Sequence, residues 1–462
     1  MQFKQFYLGC LAHASYYIGS GDEAAIIDPQ RDIQQYLDEA EANGQKIKYV
    51  IETHSHADFV SGHLELAGKT GAEIVYGQRA ATQFPTHKVK DGDELNVGAV
   101  KLTFLETPGH TPEGITIVAE KIADEGVRVP LKMFTGDTLF IGDVGRPDLI
   151  GSKGFTSEQM AEMLYDSLHE KILKYSDETE VYPAHGSGSL CGKSLSKETW
   201  STLGQQRQMN YALQSASKEE FVKLVTADQP EVPMYFPKSA AKNLEGSSSL
   251  DEIAPPRELT TDEVSNFDGV VLDVRPNNIY GAEHVPNSIN IGLGGQFASW
   301  AGTMIPIGTN IAIVADTKEQ VGEAVTRLSR VGHDTVTGSI LASKYDGPRK
   351  AVEQVTVQDV DQLIRENSQL QFVDVRRPAE HAGGHAPQTV NLPLNRLPEE
   401  FEKLDPAKPT YVICQSGYRS SIAASILENA GFCEIYNVTG GTAEWIKSGL
   451  ETETSESAQA AG

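Results

Sequence analysis

The stretch Thr53-His54-Ser55-His56-Ala57-Asp58-Phe59 follows directly on the apolar run 47–51. A short apolar run of this length reads as a buried strand. Residues just beyond such a strand line the crevices where α/β proteins place their sites. Three later segments repeat the arrangement. Thr107-Pro108-Gly109-His110-Thr111 follows the strand-like run 99–105, Thr135-Gly136-Asp137-Thr138 follows 131–135, and the last is Tyr182-Pro183-Ala184-His185-Gly186. In each, a His or Asp sits among small turn residues. Imidazole and carboxylate are ligands for a borderline metal, and no cysteine lies within these segments. The lone histidines His13, His87 and His169 lack this context and are read as structural.

Further strand-like runs at 3–9, 24–28 and 114–119, with a helix-like stretch at 33–43 ended by Gly44, indicate a layered α/β architecture over 1–235. The chain has 462 residues. At ~150 residues per domain that suggests about three domains. The stretch 236–258 carries Ser247-Ser248-Ser249 and Pro255-Pro256 and reads as a linker. Beyond it lies an internal repeat. Leu272-Asp273-Val274-Arg275-Pro276 returns as Val373-Asp374-Val375-Arg376-Arg377-Pro378, and Asn290 returns as Asn391, both at an offset of 101 residues. Two related units follow, 259–350 and 352–450, each with strands preceding helices as in a mainly parallel sheet. The small, polar stretch 451–462 is expected to be disordered.

Lys plus Arg number 39 and Asp plus Glu 64, for a net charge of −25. Such a surface repels nucleic acid and anionic membrane. No run approaches the ~20 apolar residues of a membrane helix, and the first residues do not read as a secretory signal. Four cysteines (Cys10, Cys191, Cys414, Cys433) are too few for a disulfide scaffold and suit reduced thiols in the cytoplasm.

The repeat carries a second motif, Val412-Ile413-Cys414-Gln415-Ser416-Gly417-Tyr418-Arg419-Ser420-Ser421. An apolar run ends at a cysteine, and a short loop leads into a helix-like stretch. A sulfur at a helix amino terminus is favoured as thiolate or persulfide, and Arg419 adds positive charge. Four residues separate Cys414 from Arg419. Phosphatases of similar layout have one more, so the smaller ring suits a sulfane sulfur. At the later offset of 99, Cys414 falls on Ala315, followed by Asp316. The middle unit therefore reads as unable to accept sulfur, acting as a spacer or shaping an interface.

The amino-terminal series resembles the metallo-β-lactamase superfamily over about residues 3–215, through the pattern H-x-H-x-D-H, a distant His, a bridging Asp and a last His. The resemblance implies an αββα sandwich. Phe59 stands where two-metal hydrolases such as glyoxalase II carry a second-metal histidine, so a mononuclear site is expected. The persulfide dioxygenase branch looks nearest, helped by Gly136-Asp137-Thr138-Leu139-Phe140 and Gly145-Arg146-Pro147-Asp148. It implies one Fe(II) per chain held by His54, His110 and Asp137, with His56, Asp58 and His185 behind them. Arg146 is expected to hold an anionic thiol cofactor, and Cys191 to reach the pocket and exchange sulfur. Residues 352–450 resemble the rhodanese family through the Cys414 loop (Gln415, Ser416, Gly417, Tyr418), Asp374-Val375-Arg376, His385 and Val438-Thr439-Gly440-Gly441.

The whole order is similar to bacterial persulfide dioxygenase–sulfurtransferase fusions. That implies dioxygen oxidising the persulfide of a small thiol (glutathione, coenzyme A or bacillithiol) to sulfite, and Cys414 with Arg419 passing sulfane sulfur to sulfite to give thiosulfate. It also implies a homo-oligomer. Two rivals stand beside it: a binuclear zinc thioester hydrolase with a rhodanese appendix, and a non-catalytic sulfur carrier.

Overall fold

The computed structural model describes residues 1–121, 131–149, 154–366 and 370–454. The chain forms two compact units, Met1–Ile253 with Ser329–Gly332, and Ala254–Leu328 with His333–Gly462.

The first unit is built on two six-stranded sheets. One runs in the order Gln2–Leu8, His13–Ser20, Glu23–Ile27, Lys46–Ile51, Glu73–Gly77, His87–Val89. The other runs Ser201–Thr202, Glu180–Pro183, Lys132–Gly136, Ile115–Lys121, Val100–Glu106, Glu94–Val97. Side chains alternate across a strand, and both faces of these sheets are covered. Ile18, Ala25, Ile27 and Ile51 face Leu102, Phe104, Ile117 and Phe134 in the layer between the sheets. Their neighbours Tyr17, Ala24, Ile26 and Val50 pack under the helix Gln34–Ala42 and against Leu66 of His63–Thr70. On the outer face of the second sheet, Met133 and Val181 meet Leu164, Leu203 and Phe221 from Ser157–Asp166, Leu203–Met209 and Lys218–Thr226. This is the αββα sandwich.

The second unit holds two five-stranded parallel sheets of identical order. The first is Arg257–Glu258, Val336–Leu341, Ile311–Ala315, Val270–Asp273, Ser288–Asn290. The second is Glu353–Val355, Ile435–Val438, Thr410–Ile413, Gln371–Asp374, Val390–Asn391. The sequence repeat is thus a repeat of topology. One apolar core joins them, running from Leu272, Ile291, Phe297 and Ile313 to Val373, Val412, Ile422 and Leu427.

The stretch read as a linker is structured. It contains the helix Phe236–Glu245, with Phe236, Ser239, Asn243 and Leu244 buried in the first unit, and it ends in the edge strand Arg257–Glu258. Of the tail, residues 455–462 lie outside the described residues, while Glu453 pairs its backbone with His385. Among the described residues no helix is long and apolar enough to cross a membrane.

Candidate metal centre and cysteine loop

His54, His110 and Asp137 converge from three strand ends. One ligand atom of each lies within 4.8 Å of the others, and all three residues are buried. Asp137 Oδ2 is 3.7 Å from His54 Nε2 and 3.4 Å from His110 Nε2. The outer nitrogens are engaged. His110 Nδ1 donates to the Arg146 carbonyl at 2.9 Å, which leaves Nε2 as a bare lone pair. Thr53 gives its hydroxyl proton to Asp28 at 2.8 Å, so it accepts from His54 Nδ1 at 3.0 Å, with the same result. His54 Nε2 and Asp137 Oδ2 are buried without a hydrogen-bond partner. Buried polar atoms are normally paired. Two imidazole lone pairs and a carboxylate oxygen aimed at one point fit a divalent transition metal.

Around this trio the other expected residues split into two groups. His185 bridges the carboxylates, with Nδ1 2.7 Å from Asp137 Oδ1 and Nε2 2.8 Å from Asp58 Oδ2. Burial works against charge on His185, but Asp137 and Asp58 outweigh it and hold the imidazolium well above the usual histidine range. Burial likewise opposes ionisation of Asp137, yet the charged His185 beside it outweighs this and holds the carboxyl well below the usual range. His56 turns elsewhere. Its Nε2 is 3.1 Å from Asp28 Oδ1 and 3.6 Å from Glu52 Oε2, and burial lowers its pKa to about 3. The Phe59 ring fills the space between His13 at 4.1 Å and His56 at 4.5 Å between centroids.

Cys191 places its sulfur within 4.8 Å of ligand atoms of Asp58 and His185. Burial, then Asp137 and Asp58, push its thiol pKa well up. Arg146 departs from expectation. It is 1% exposed, and its guanidinium is spent on Asp148 at 2.6 and 2.7 Å and on the Leu190 and Pro230 carbonyls. Four of its five N–H groups are taken, and its backbone carbonyl fixes His110.

Residues the sequence reading passed over complete the centre. His13, read as structural, brings a ring nitrogen within 4.8 Å of His56 and His185 ligand atoms and bonds the Asp28 carbonyl at 2.9 Å. Asp28 closes the strand Glu23–Ile27 at φ +51°, a left-handed backbone rare outside glycine. Asn243 holds the loop after Ile51 through three bonds of 2.8 Å: it accepts from Ser61 N and donates to the carbonyls of His56 and Phe59.

In the second unit, Thr410–Ile413 delivers Cys414 to the amino terminus of the helix Tyr418–Asn429. Gly417 N–H donates to the sulfur at 3.1 Å, and the Ser420 hydroxyl lies 3.4 Å from it while donating to Asn437 Oδ1 at 2.6 Å. Gly417 has φ +97°, and a Cβ at Gly441 would lie 2.3 Å from the Cys414 carbonyl, so both turns require glycine. Arg419 is held by both oxygens of Glu380, at 2.7 and 2.8 Å. Gln415 and Ser416 are exposed. Arg376 clamps Asp374, and His385 Nδ1 donates to the His381 carbonyl at 2.8 Å. In the middle unit Ala315 ends the matching strand, and Gln320 Oε1 accepts from the N–H groups of Asp316 and Thr317. That loop satisfies its own donors.

Comparison with known proteins agrees with this layout. Residues 8–185 match the metallo-beta-lactamase superfamily and residues 356–448 the rhodanese-like domain. The mitochondrial persulfide dioxygenase ETHE1 of Bos taurus is 33% identical over 219 residues, 46% of this chain and 75% of the relative. The hydroxyacylglutathione hydrolase of Idiomarina loihiensis is 32% identical over 166 residues, 36% of this chain and 56% of that protein. A solved structure described as a metallo-beta-lactamase from Staphylococcus aureus is 34% identical, with TM-score 0.68, covering 74% of this chain and 99% of that one.

Proposed function

The chain belongs to the metallo-β-lactamase superfamily and, within it, to the persulfide dioxygenase family; on that premise we propose that it oxidises the persulfide of a small thiol to sulfite and transfers sulfane sulfur through Cys414. The observation that carries the first half is the convergence of His54, His110 and Asp137 on one point, with phenylalanine where a second metal would need a histidine. We assign the point to one Fe(II) per chain, which when bound supplies open positions for dioxygen and persulfide sulfur.

The chain's own residues set the stage. Thr53 and the Arg146 carbonyl hold the two rings with Nε2 inward. His185, charged between Asp58 and Asp137, keeps Asp137 ionised. Cys191 is our candidate for sulfur exchange with the substrate. It must first give up its proton, because burial and the carboxylates hold it as the thiol. The reaction takes four electrons from the outer sulfur of the persulfide to dioxygen and, with one water, yields sulfite and the free thiol. Glutathione, coenzyme A and bacillithiol are the carriers we consider.

At the second site, the Cys414 thiolate attacks a sulfane sulfur, the carrier leaves as its thiolate, and sulfite removes that sulfur as thiosulfate. Gly417 N–H stabilises the sulfur anion. We place this chemistry in the cytoplasm, in keeping with four free cysteines.

Two variants test the division of labour. His110→Ala should abolish oxygen uptake and leave thiosulfate:cyanide sulfur transfer intact. Cys414→Ser should keep oxygen uptake and release sulfite in place of thiosulfate. Thiosulfate formed at the normal rate by Cys414→Ser would refute the two-step scheme.

A further inference from the structure

The middle unit lacks a cysteine at Ala315 and satisfies its own loop, yet it grips the helix that carries the working one. The contact runs along one face of Tyr418–Asn429. The Tyr418 hydroxyl donates to the Gly292 carbonyl at 2.8 Å, and Ser421 donates to Asn290 Oδ1 at 2.7 Å. Ser425 accepts from Asn290 N at 3.1 Å, Glu428 meets His284 at 3.0 Å, and Asn429 reaches the Ser288 carbonyl at 3.4 Å. These positions recur with helical spacing, so the face turned to the middle unit is a polar stripe.

At the head of the stripe the contact reaches the sulfur loop itself. Asn277 Nδ2 donates to the Gly417 carbonyl at 3.2 Å, and Gly417 N–H donates to Cys414 Sγ at 3.1 Å. A Cβ at Gly417 would stand 3.4 Å from Asn277 Nδ2. The Tyr418 ring lies against Gly295, where an added Cβ would come within 2.6 Å of ring carbons. Arg327 holds that backbone through the Leu293 and Gly295 carbonyls at 2.6 and 3.0 Å, with its guanidinium over Phe297. In the repeat, Asn277 is matched at offset 101 by Pro378, which has no side-chain donor. The donor is present only in the unit that lacks its own cysteine.

We propose that the cysteine-less unit is a working half of the sulfur-transfer site, with Asn277 as the positioning residue that fixes Gly417 under the Cys414 sulfur. This rests on Cys414 being the sulfur acceptor. Without Asn277 the Gly417 carbonyl keeps only the longer bonds from Ser421 N at 3.3 Å and Asn437 Nδ2 at 3.5 Å, so the turn that aims the Gly417 N–H at the sulfur is held less tightly. Asn277 acts through its bond to the Gly417 carbonyl.

The test uses the full chain with thiosulfate and cyanide, and oxygen uptake on glutathione persulfide as a check of folding. Asn277→Ala should lower kcat/KM for sulfur transfer about fivefold to tenfold, the factor set by one hydrogen bond. Asn277→Asp keeps the shape but turns a carboxylate on the Gly417 carbonyl and the sulfur anion, and should fall further than Ala. A space-filling role predicts the reverse order. Tyr418→Phe, which loses only the bond to Gly292, should fall in the same direction by roughly twofold to fivefold. Oxygen uptake should be unchanged in all three. Cys414→Ser is run alongside. If it still transfers sulfur, the assignment of Cys414 is wrong. If it is dead while Asn277→Ala stays within about twofold of wild type, or Asp outperforms Ala, the role of Asn277 is overturned.

Discussion

Asn243 is the residue whose removal should do most damage at least cost in volume. It is 1% exposed and makes three hydrogen bonds of 2.8 Å to the backbone of 56–61. Asn243→Ala leaves one N–H and two carbonyls buried without partners. At ~1 kcal/mol for each bond lost, and more where a buried group stays orphaned, the cost is about 3–5 kcal/mol. That is a large share of the ~5–15 kcal/mol that holds a domain together. The freed loop carries His54 and His56, so metal affinity should fall about 10–100-fold, the usual effect of removing a group that orients a ligand. Asn243→Asp keeps the acceptor for Ser61 N but points a carboxylate at two carbonyls. It should match or exceed the Ala defect at neutral pH and recover partly in acid, where the protonated carboxyl regains a donor. Metal release against urea concentration isolates this unit from the second one. An Ala variant that keeps its metal to the wild-type urea concentration would show that the helix Phe236–Glu245 does not hold the site.

Three other perturbations follow from the same geometry. Phe59→His puts an imidazole into the slot beside His13 and His56, and zinc titration should then give two metals per chain in place of one; a count still at one would mean that ring orientation, not chemistry, sets the stoichiometry. Gly145→Ala brings a Cβ to 1.9 Å from the Asp137 carbonyl and 3.0 Å from His110 Cβ; the backbone must shift, at a cost of about 1–3 kcal/mol, and metal content should drop, so full occupancy would contradict the packing. Burial lowers the His63 pKa to about 3, so the folded chain keeps it neutral while the unfolded chain protonates it near 6.5. Stability is therefore lost as pH falls below 6.5, by about 1.4 kcal/mol per pH unit until about pH 3. His63→Leu should flatten that acid limb in urea titrations at pH 5 and 7, and an unchanged slope would refute the neutral, buried assignment.

Much of the first unit was legible because its strands are covered on both faces. The runs 47–51 and 114–119 therefore stand out as apolar, and the ligands follow at strand ends. Asp28, Glu52, His13 and Asn243 were not legible, because each joins the centre from a separate element and no local spacing marks it. Arg146 shows a different gap. Its partner Asp148 is a near neighbour in sequence, but the Leu190 and Pro230 carbonyls that also take up the guanidinium lie 44 and 84 residues further along the chain. The helix Phe236–Glu245 was hidden by the serines and prolines that follow it, although Pro237 in its first turn and Gly246 at its end are helix boundary signals. The repeat is visible in sequence because the Asp-Val-Arg motif and the following asparagine return at a constant offset. That spacing does not show that Asn277 of the cysteine-less copy reaches the Cys414 loop of the other.

Metal analysis of the purified chain, joined to oxygen uptake on glutathione and coenzyme A persulfides, tests the central claim most directly. The account predicts one iron per chain and oxygen consumed in step with sulfite formed. Two zinc ions per chain with no oxygen uptake would contradict it and favour a thioester hydrolase.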